Sequence, residues 1–180
     1  RFERGHQASS LDVIGATKHT GTKITFLPDA ELFSTTRFEW DVLAVRLREL
    51  AFLNRGIEIQ FSQEEPERAE TFKYEGGITE FVQQLNRGKA TLHPKPIFVT
   101  EQKDDIVVEI ALQYTDAYSE NVLCFANNIH TVEGGTHLSG FRSALTRTIN
   151  AYARSAKLLK DDKESMSGDD VREGLTAVIS

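Results

Sequence analysis

A basic segment without acidic residues is the part of this chain with the clearest potential chemistry. Residues 134–160 contain five Lys or Arg and neither Asp nor Glu, although the whole chain has a net charge of −6. A concentration of positive charge attracts anions, and phosphate is the usual partner of such a segment. The five cations are Arg142, Arg147, Arg154, Lys157 and Lys160.

The same segment has the pattern of an amphipathic helix over residues 136–158. Gly134 and Gly135 provide a turn before it, and Thr136 is the predicted N-cap, accepting hydrogen bonds from free N–H groups of the first turn. At about 100° per residue, the cations fall on an arc of roughly 140° beside an apolar stripe. The stripe consists of Leu138, Phe141, Leu145, Ile149 and Tyr152. One side of the helix is therefore expected to pack inward and the adjacent side to offer positive charge.

Two interpretations of the charged side stay open from the pattern alone. A charged helix face is usually a solvated surface with no partner. The alternative is contact with a phosphate-bearing partner, which the one-sided distribution of the cations favours.

Composition places the chain among soluble globular proteins. Its 180 residues are 39% hydrophobic and 27% charged, enough for one domain or two small ones. The sequence has no apolar run near the roughly 20 residues that a membrane span needs, and no leader of the secretory type. Both ends look cut, because the chain opens at Arg1 without Met and stops in an apolar run. We expect an excerpt of a longer, cytoplasmic polypeptide.

The single cysteine and the scattered histidines predict no metal or disulfide chemistry. Cys124 lies in an apolar run and is interpreted as a small buried hydrophobe. The five histidines lack metal-ligand spacing, and His137 is expected to have a structural role in the first turn of the basic helix. Asp169 and Asp170 are adjacent, so they diverge by about 100° and suit helix capping better than chelation.

The order of predicted elements indicates an α+β fold. Two short strands are expected within 11–27 around a turn at 19–22, and the best internal boundary is the run 75–77. The other predicted elements are helices at 37–54, 78–85 and from 168, and strands at 57–61, 71–74, 97–101, 105–114, 121–127 and 175–180.

Short segments spread along almost the whole chain closely resemble the B subunits of DNA gyrase, which are type IIA DNA topoisomerase subunits. The order and the spacing of the segments match that family. They are 46–54 (RLRELAFLN), 74–78 (YEGGI), 125–129 (FANNI), 133–138 (EGGTHL), 140–142 (GFR), 146–147 (TR) and 168–175 (GDDVREGL).

The resemblance implies two partial domains. Residues 1–76 look like the C-terminal half of a GHKL ATPase α/β sandwich. Residues 77–180 look like a transducer domain, truncated at its C-terminal end, with a ribosomal-protein-like fold and a left-handed βαβ crossover. A left-handed crossover is rare and would not follow from the sequence pattern itself.

Site residues are carried over only where positions match. Thr22 matches a threonine that hydrogen-bonds near the adenine, and Arg142 matches an arginine on the wall of a DNA-holding cavity. Arg147 is a DNA-binding candidate from its charge alone. The family's catalytic glutamate, magnesium-binding asparagine and γ-phosphate lysine have no counterpart within residues 1–180, so the resemblance implies no catalytic or metal-binding residue in this stretch.

The expected parent is an ATP-hydrolysing topoisomerase that uses ATP and Mg²⁺ and introduces negative supercoils in the bacterial cytoplasm. Its expected partners are double-stranded DNA, the A subunit of gyrase and, on ATP binding, a second B subunit, with no membrane partner. Alone, residues 1–180 are predicted to be inactive. Two alternatives remain: the B subunit of topoisomerase IV, and a non-enzymatic nucleic-acid-binding domain of ribosomal-protein-like fold.

Overall fold

The structure is a computed structural model that describes residues 1–159 and 165–180. This part of the chain forms two compact units, residues 1–40 and residues 41–180. Helix α1 begins at the last residue of the first unit and otherwise belongs to the second.

The first unit has little regular structure. Strands β1 (Phe2–Glu3) and β2 (His6–Gln7) pair antiparallel, and Arg4 bonds to Asp29 and Glu31. The strands predicted within 11–27 are not formed, and that prediction is wrong. A strand needs a hydrogen-bonded neighbour, and within residues 1–40 only β1 and β2 supply ladder partners.

The second unit contains the remaining elements. The helices are α1 (Trp40–Leu53), α2 (Ile78–Leu85), α3 (Thr136–Ser155) and α4 (Gly168–Arg172). The strands are β3 (Glu58–Gln63), β4 (Arg68–Lys73), β5 (Ile97–Lys103), β6 (Ile106–Tyr114), β7 (Asn121–Ala126), β8 (Ile129–His130) and β9 (Leu175–Ile179). Each of these elements except β8 was predicted, within a few residues at either end.

Five strands form one mixed sheet in the order β5-β6-β9-β7-β8. Strand β9 lies at the centre, antiparallel to β6 and parallel to β7. The chain leaves β7 through the short β8 and returns to β9 through α3 and α4, which makes a βαβ unit. Strands β3 and β4 form a separate hairpin.

The two faces of the sheet are covered by different helices. On one face, Ala111 and Val178 pack with Phe81 of α2 and Phe52 of α1. Because side chains alternate along a strand, the next residues, Leu112 and Ala177, face the other way. There they pack with Phe141 and Leu145 of α3. The basic helix is therefore anchored on a face of its own.

Candidate nucleic-acid interface

Helix α3 starts one residue earlier than the capping prediction required. Thr136 is the first helical residue, and Gly135 occupies the N-cap position without a side-chain hydrogen bond. The Thr136 capping prediction is therefore wrong. Gly134 has φ 79°, a conformation that glycine adopts without the penalty other residues incur. The turn uses both glycines, so the helix can begin at the residue that directly follows them.

The packed side of α3 is rotated relative to the predicted apolar stripe. Tyr152 is 66% exposed, so its predicted inward position is wrong. The buried residues of the helix are Asn150 and Ala153. At about 100° per residue, these two lie roughly 100° to 160° around the helix from Tyr152. The stripe was inferred from the helical spacing of apolar residues alone, whereas in the structure a second element also covers the helix from the side.

That second element is the segment leading into α4. The side-chain amide of Asn150 donates to the carbonyl of Met166 at 3.0 Å, and its oxygen accepts from the Met166 N–H at 2.8 Å. Ser167 and Asp170 then form a capping box that begins α4. These hydrogen bonds from Ser167 hold the pKa of Asp170 below its usual value. The expectation that Asp170 caps a helix is confirmed.

Arg142 lies on this packed side and is ion-paired. Its Nη2 bonds to Glu120 in the loop before β7, and 38% of its side chain is exposed. Arg172 of α4 places Nε 3.0 Å from the other Glu120 oxygen and Nη2 2.7 Å from Asp169. Sequence reasoning missed this cluster, because Glu120 is 22 residues from Arg142. Only the βαβ crossover brings them together.

The other described cations of the basic segment, two in α3 and one just after its end, are exposed. Arg147, Arg154 and Lys157 are exposed, and within residues 1–159 and 165–180 none of them forms an ion pair. Arg147 and Arg154 are seven residues apart, which places them on one face and about 10 Å apart along the helix axis. Lys160, the fifth cation, lies outside the described residues. The described part of the predicted cationic arc therefore separates into one held arginine, Arg142, and three exposed cations, of which Arg147 and Arg154 share a face of α3.

The environments of His137 and Cys124 indicate structural roles for both residues. His137 lies 3.3 Å from the Thr131 hydroxyl, which agrees with the structural role expected for it. Cys124 is 2% exposed, and burial raises the pKa of its thiol, as suits a small core residue. No cluster of metal-ligating side chains occurs in the described part of the chain.

The three candidate site residues fall in different units. Thr22 lies in the first unit and is exposed. Arg142 and Arg147 both belong to α3 in the second unit, so only these two share an element. Among the described residues, no helix is long and apolar enough to cross a membrane.

Comparison with known proteins decides the family. A family model described as DNA gyrase B matches residues 77–180. The DNA gyrase B subunit of Halalkalibacterium halodurans is 54% identical over an alignment covering 100% of this chain and 29% of that protein. This chain belongs to the DNA gyrase B family.

Other members are similarly close to this chain. The gyrase B subunit of Clostridium acetobutylicum is 52% identical across 99% of the chain and 28% of its own length. The chain thus spans less than a third of these relatives. Both are gyrase B subunits, so the comparisons support gyrase rather than topoisomerase IV or a non-enzymatic ribosomal-protein-like domain.

Solved structures confirm the fold. The 43K ATPase domain of Thermus thermophilus gyrase B, solved with an aminocoumarin, has a TM-score of 0.74 and 37% identity, covering 85% of this chain and 42% of that one. The gyrase B subunit of Myxococcus xanthus gives a TM-score of 0.74 at 29% identity, over 86% of this chain and 48% of that one. The topoisomerase IV ATP-binding domain of Francisella tularensis, at 19% identity and a TM-score of 0.68, shares the fold.

Proposed function

We propose that this chain is the ATPase–transducer junction of a DNA gyrase B subunit. In the parent protein it couples ATP binding and hydrolysis to the passage of one duplex through another and so to negative supercoiling. The observation that carries the proposal is the outward-facing cationic side of α3 within a region that the gyrase B family model matches.

We propose a division into residues 1–76, from the GHKL ATPase domain, and residues 77–180, from the transducer. The family match begins at residue 77, which supports this boundary. Phe52 and Tyr74 on the first side stack at 3.6 Å between ring centroids, and Phe52 stacks on Phe81 of the second side at 4.7 Å. Movement of one part can therefore be transmitted to the other through packed aromatic rings.

We propose that α3 contacts duplex DNA through Arg142 and Arg147. The chain has a net charge of −6, so DNA is repelled except where cations are concentrated. Arg147 is exposed and available to a phosphate, and Arg142 remains partly exposed beside Glu120. Guanidinium groups suit phosphate because they offer two parallel N–H donors.

We propose that Thr22 contributes to the nucleotide site of the parent, whose ATP and Mg²⁺ are held mainly by residues beyond this stretch. Its exposed hydroxyl-bearing side chain is available for such a contact. Residues 1–180 alone are proposed to be inactive. The partners of the parent are double-stranded DNA, the A subunit of gyrase and a second B subunit, in the bacterial cytoplasm.

The test is a supercoiling assay on the full-length parent in complex with its A subunit. Arg142→Gln is expected to lower the supercoiling rate by about tenfold or more, because a lost phosphate contact removes on the order of 1.4 kcal/mol of transition-state stabilisation. DNA-stimulated ATP hydrolysis is expected to fall with it.

The matched control is Arg87→Gln, which removes an exposed cation just after α2. It is expected to behave as wild type in both assays. Wild-type supercoiling and wild-type DNA-stimulated ATPase activity for Arg142→Gln would contradict the DNA-binding role.

A further inference from the structure

Four charged side chains from three separate segments form a continuous chain of ion pairs. Arg142 of α3 hydrogen-bonds to Glu120, and Arg172 of α4 forms an ion pair with the same carboxylate. In that ion pair Arg172 Nε lies 3.0 Å from Glu120 but has no hydrogen-bond partner among the described residues, while Nη2 of Arg172 hydrogen-bonds to Asp169. We call these four residues the Glu120 cluster. It is the place where the loop before β7, the start of the basic helix and the segment before β9 are tied together.

Glu120 is the shared member of the cluster. One carboxylate oxygen receives Arg142 and the other receives Arg172, so both oxygens are committed to arginines. Arg172 has only 17% of its side chain exposed and is held from its far side by Asp169 at 2.7 Å. Arg172 therefore holds the Glu120 carboxylate in place, and the carboxylate in turn holds the Arg142 guanidinium.

The cluster leaves Arg142 oriented yet reachable. The side chain keeps 38% of its surface exposed although it lies on the packed side of α3. Its Nε is buried and has no hydrogen-bond partner among the described residues. An arginine held in this way has already lost much of its rotamer freedom. Phosphate binding therefore incurs less of the entropy cost of ordering the side chain.

We propose that Glu120 is a positioning residue for Arg142, setting the guanidinium for its contact with the duplex. This inference rests on the proposed DNA role of Arg142. Among the described residues Arg147 faces solvent without such a partner, so the two arginines have different tasks. Arg147 attracts the duplex through its charge alone, and Arg142 responds only to a duplex that is correctly seated.

The competing account is that Glu120 masks Arg142 by neutralising its charge. The two accounts predict opposite results for Glu120→Gln. Masking predicts a gain of DNA response once the carboxylate is removed. Positioning predicts a loss of response, even though removing a negative charge cannot weaken the attraction of the chain for DNA.

The experiment measures how the concentration of duplex DNA changes ATP hydrolysis by the full-length parent in complex with its A subunit. For Glu120→Gln we expect maximal stimulation to fall by about tenfold, within the range found for coupled neighbours. The DNA concentration that gives half-maximal stimulation is expected not to rise. Stimulation is expressed as the ratio of the DNA-stimulated rate to the basal rate, because a loss of folded protein lowers both rates equally and leaves this ratio unchanged.

The matched control is Glu133→Gln, which removes an exposed carboxylate close to the start of α3. It changes the net charge equally and is expected to leave maximal stimulation unchanged. In the double variant with Arg142→Gln, Glu120→Gln is expected to cause no additional loss, because the positioned group is already gone. Glu120→Asp keeps the charge on a shorter side chain and is expected to retain part of the stimulation that Glu120→Gln loses. If the Glu120→Gln variant does not fold, Glu120→Asp is measured in its place.

Three results would overturn the inference. Glu120→Gln could match the Glu133→Gln control, or it could increase stimulation as masking predicts, while Arg142→Gln still impairs the enzyme. In those two cases the DNA role of Arg142 survives and only the positioning role fails. If Arg142→Gln behaves as wild type, the proposed DNA contact fails and the positioning role fails with it.

Discussion

Helix α3 carries the same residue type in two different situations. Arg142 lies on the side that packs against the α4 segment and shares Glu120 with Arg172. Arg147, five residues later, lies on the exposed side, as Arg154 does. We call these the packed side and the outer side of α3. A run of cations in a sequence therefore does not define one surface, because neighbouring elements decide which cations are held and which remain available.

The largest expected effect on the free energy of unfolding is at Gly174, in the turn between α4 and β9. Gly174 has φ 72°, and a Cβ there would lie 2.3 Å from the carbonyl oxygen of Thr115. Gly174→Ala is expected to destabilise the protein by about 3 kcal/mol or more, from left-handed strain and backbone overlap together. Urea unfolding monitored by circular dichroism measures this loss.

The control for that change is a glycine on the outer side of α3. Gly140 has no heavy atom within 4 Å of the position a Cβ would take. Gly140→Ala is expected to stabilise the protein by about 0.5–1 kcal/mol, because alanine is the better helix former. Equal effects at Gly174 and Gly140 would contradict the claim that the backbone between α4 and β9 is tightly packed while the outer side of α3 is open.

The next effect concerns the buried amide that holds the packed side. Asn150→Ala removes two hydrogen bonds to the Met166 backbone and leaves that N–H and C=O without their partner. We expect a loss of about 2–3 kcal/mol in the free energy of unfolding. Arg154→Gln on the outer side is the comparison and is expected to change stability by less than about 0.5 kcal/mol.

A smaller effect is expected at the start of α4. Ser167→Ala removes the hydroxyl that accepts from the Asp170 N–H at 3.2 Å and is expected to cost about 1 kcal/mol. Unfolding of the variant and the wild type at neutral pH measures this difference. A cost well above that of Asn150→Ala would mean that the cap, rather than the amide, holds the segment.

The pH dependence of the same cap has a definite sign. The pKa of Asp170 is lowered in the folded protein, so ionisation of this group stabilises the fold above the usual carboxyl pKa of about 3.9. That contribution is lost as the pH falls through the lower pKa of the folded state. Ser167→Ala is expected to raise the pKa of Asp170 and to weaken this acid dependence, which an NMR titration of the side chain checks.

The smallest effect on the free energy of unfolding is expected for the exposed cations on the outer side of α3. The Arg147→Gln and Arg154→Gln variants are expected to retain wild-type unfolding curves. Each should reduce the salt slope of duplex binding by about one, because one phosphate contact is lost. Slopes identical to wild type in both variants would indicate that this face is only solvated.

Local patterns predicted most of the second unit. The leucine repeat of α1, the alternation of β3 and the apolar run of β6 each find a partner within residues 41–180, so local preference and packing agree. One local feature, the hairpin turn at Asn127–Asn128 and the strand β8 that follows it, was not predicted. Both residues have positive φ and close a two-residue hairpin between β7 and the unpredicted β8.

Three of the failures share one cause, which is the absence of partner information in a single sequence. Lys23 to Leu27 alternate like a strand, but the two strands of the first unit, β1 and β2, pair with each other and not with this segment. Tyr152 fits an apolar stripe, yet it is exposed because the α4 segment covers a neighbouring side of the helix. The ion pair between Arg142 and Glu120 depends on the βαβ crossover, so sequence spacing carried no signal for it.

The most direct test of the central claim is photo-crosslinking between α3 and duplex DNA. A photo-reactive amino acid replaces Arg147 in the full-length parent, in complex with its A subunit, DNA and a non-hydrolysable ATP analogue. The control places the same group at Lys103, exposed at the end of β5 beside Asp104 and Asp105, where DNA is repelled. The account predicts nucleotide-dependent DNA adducts at position 147 and only background at position 103. Background yield at position 147, or equal yields at both positions, would contradict it.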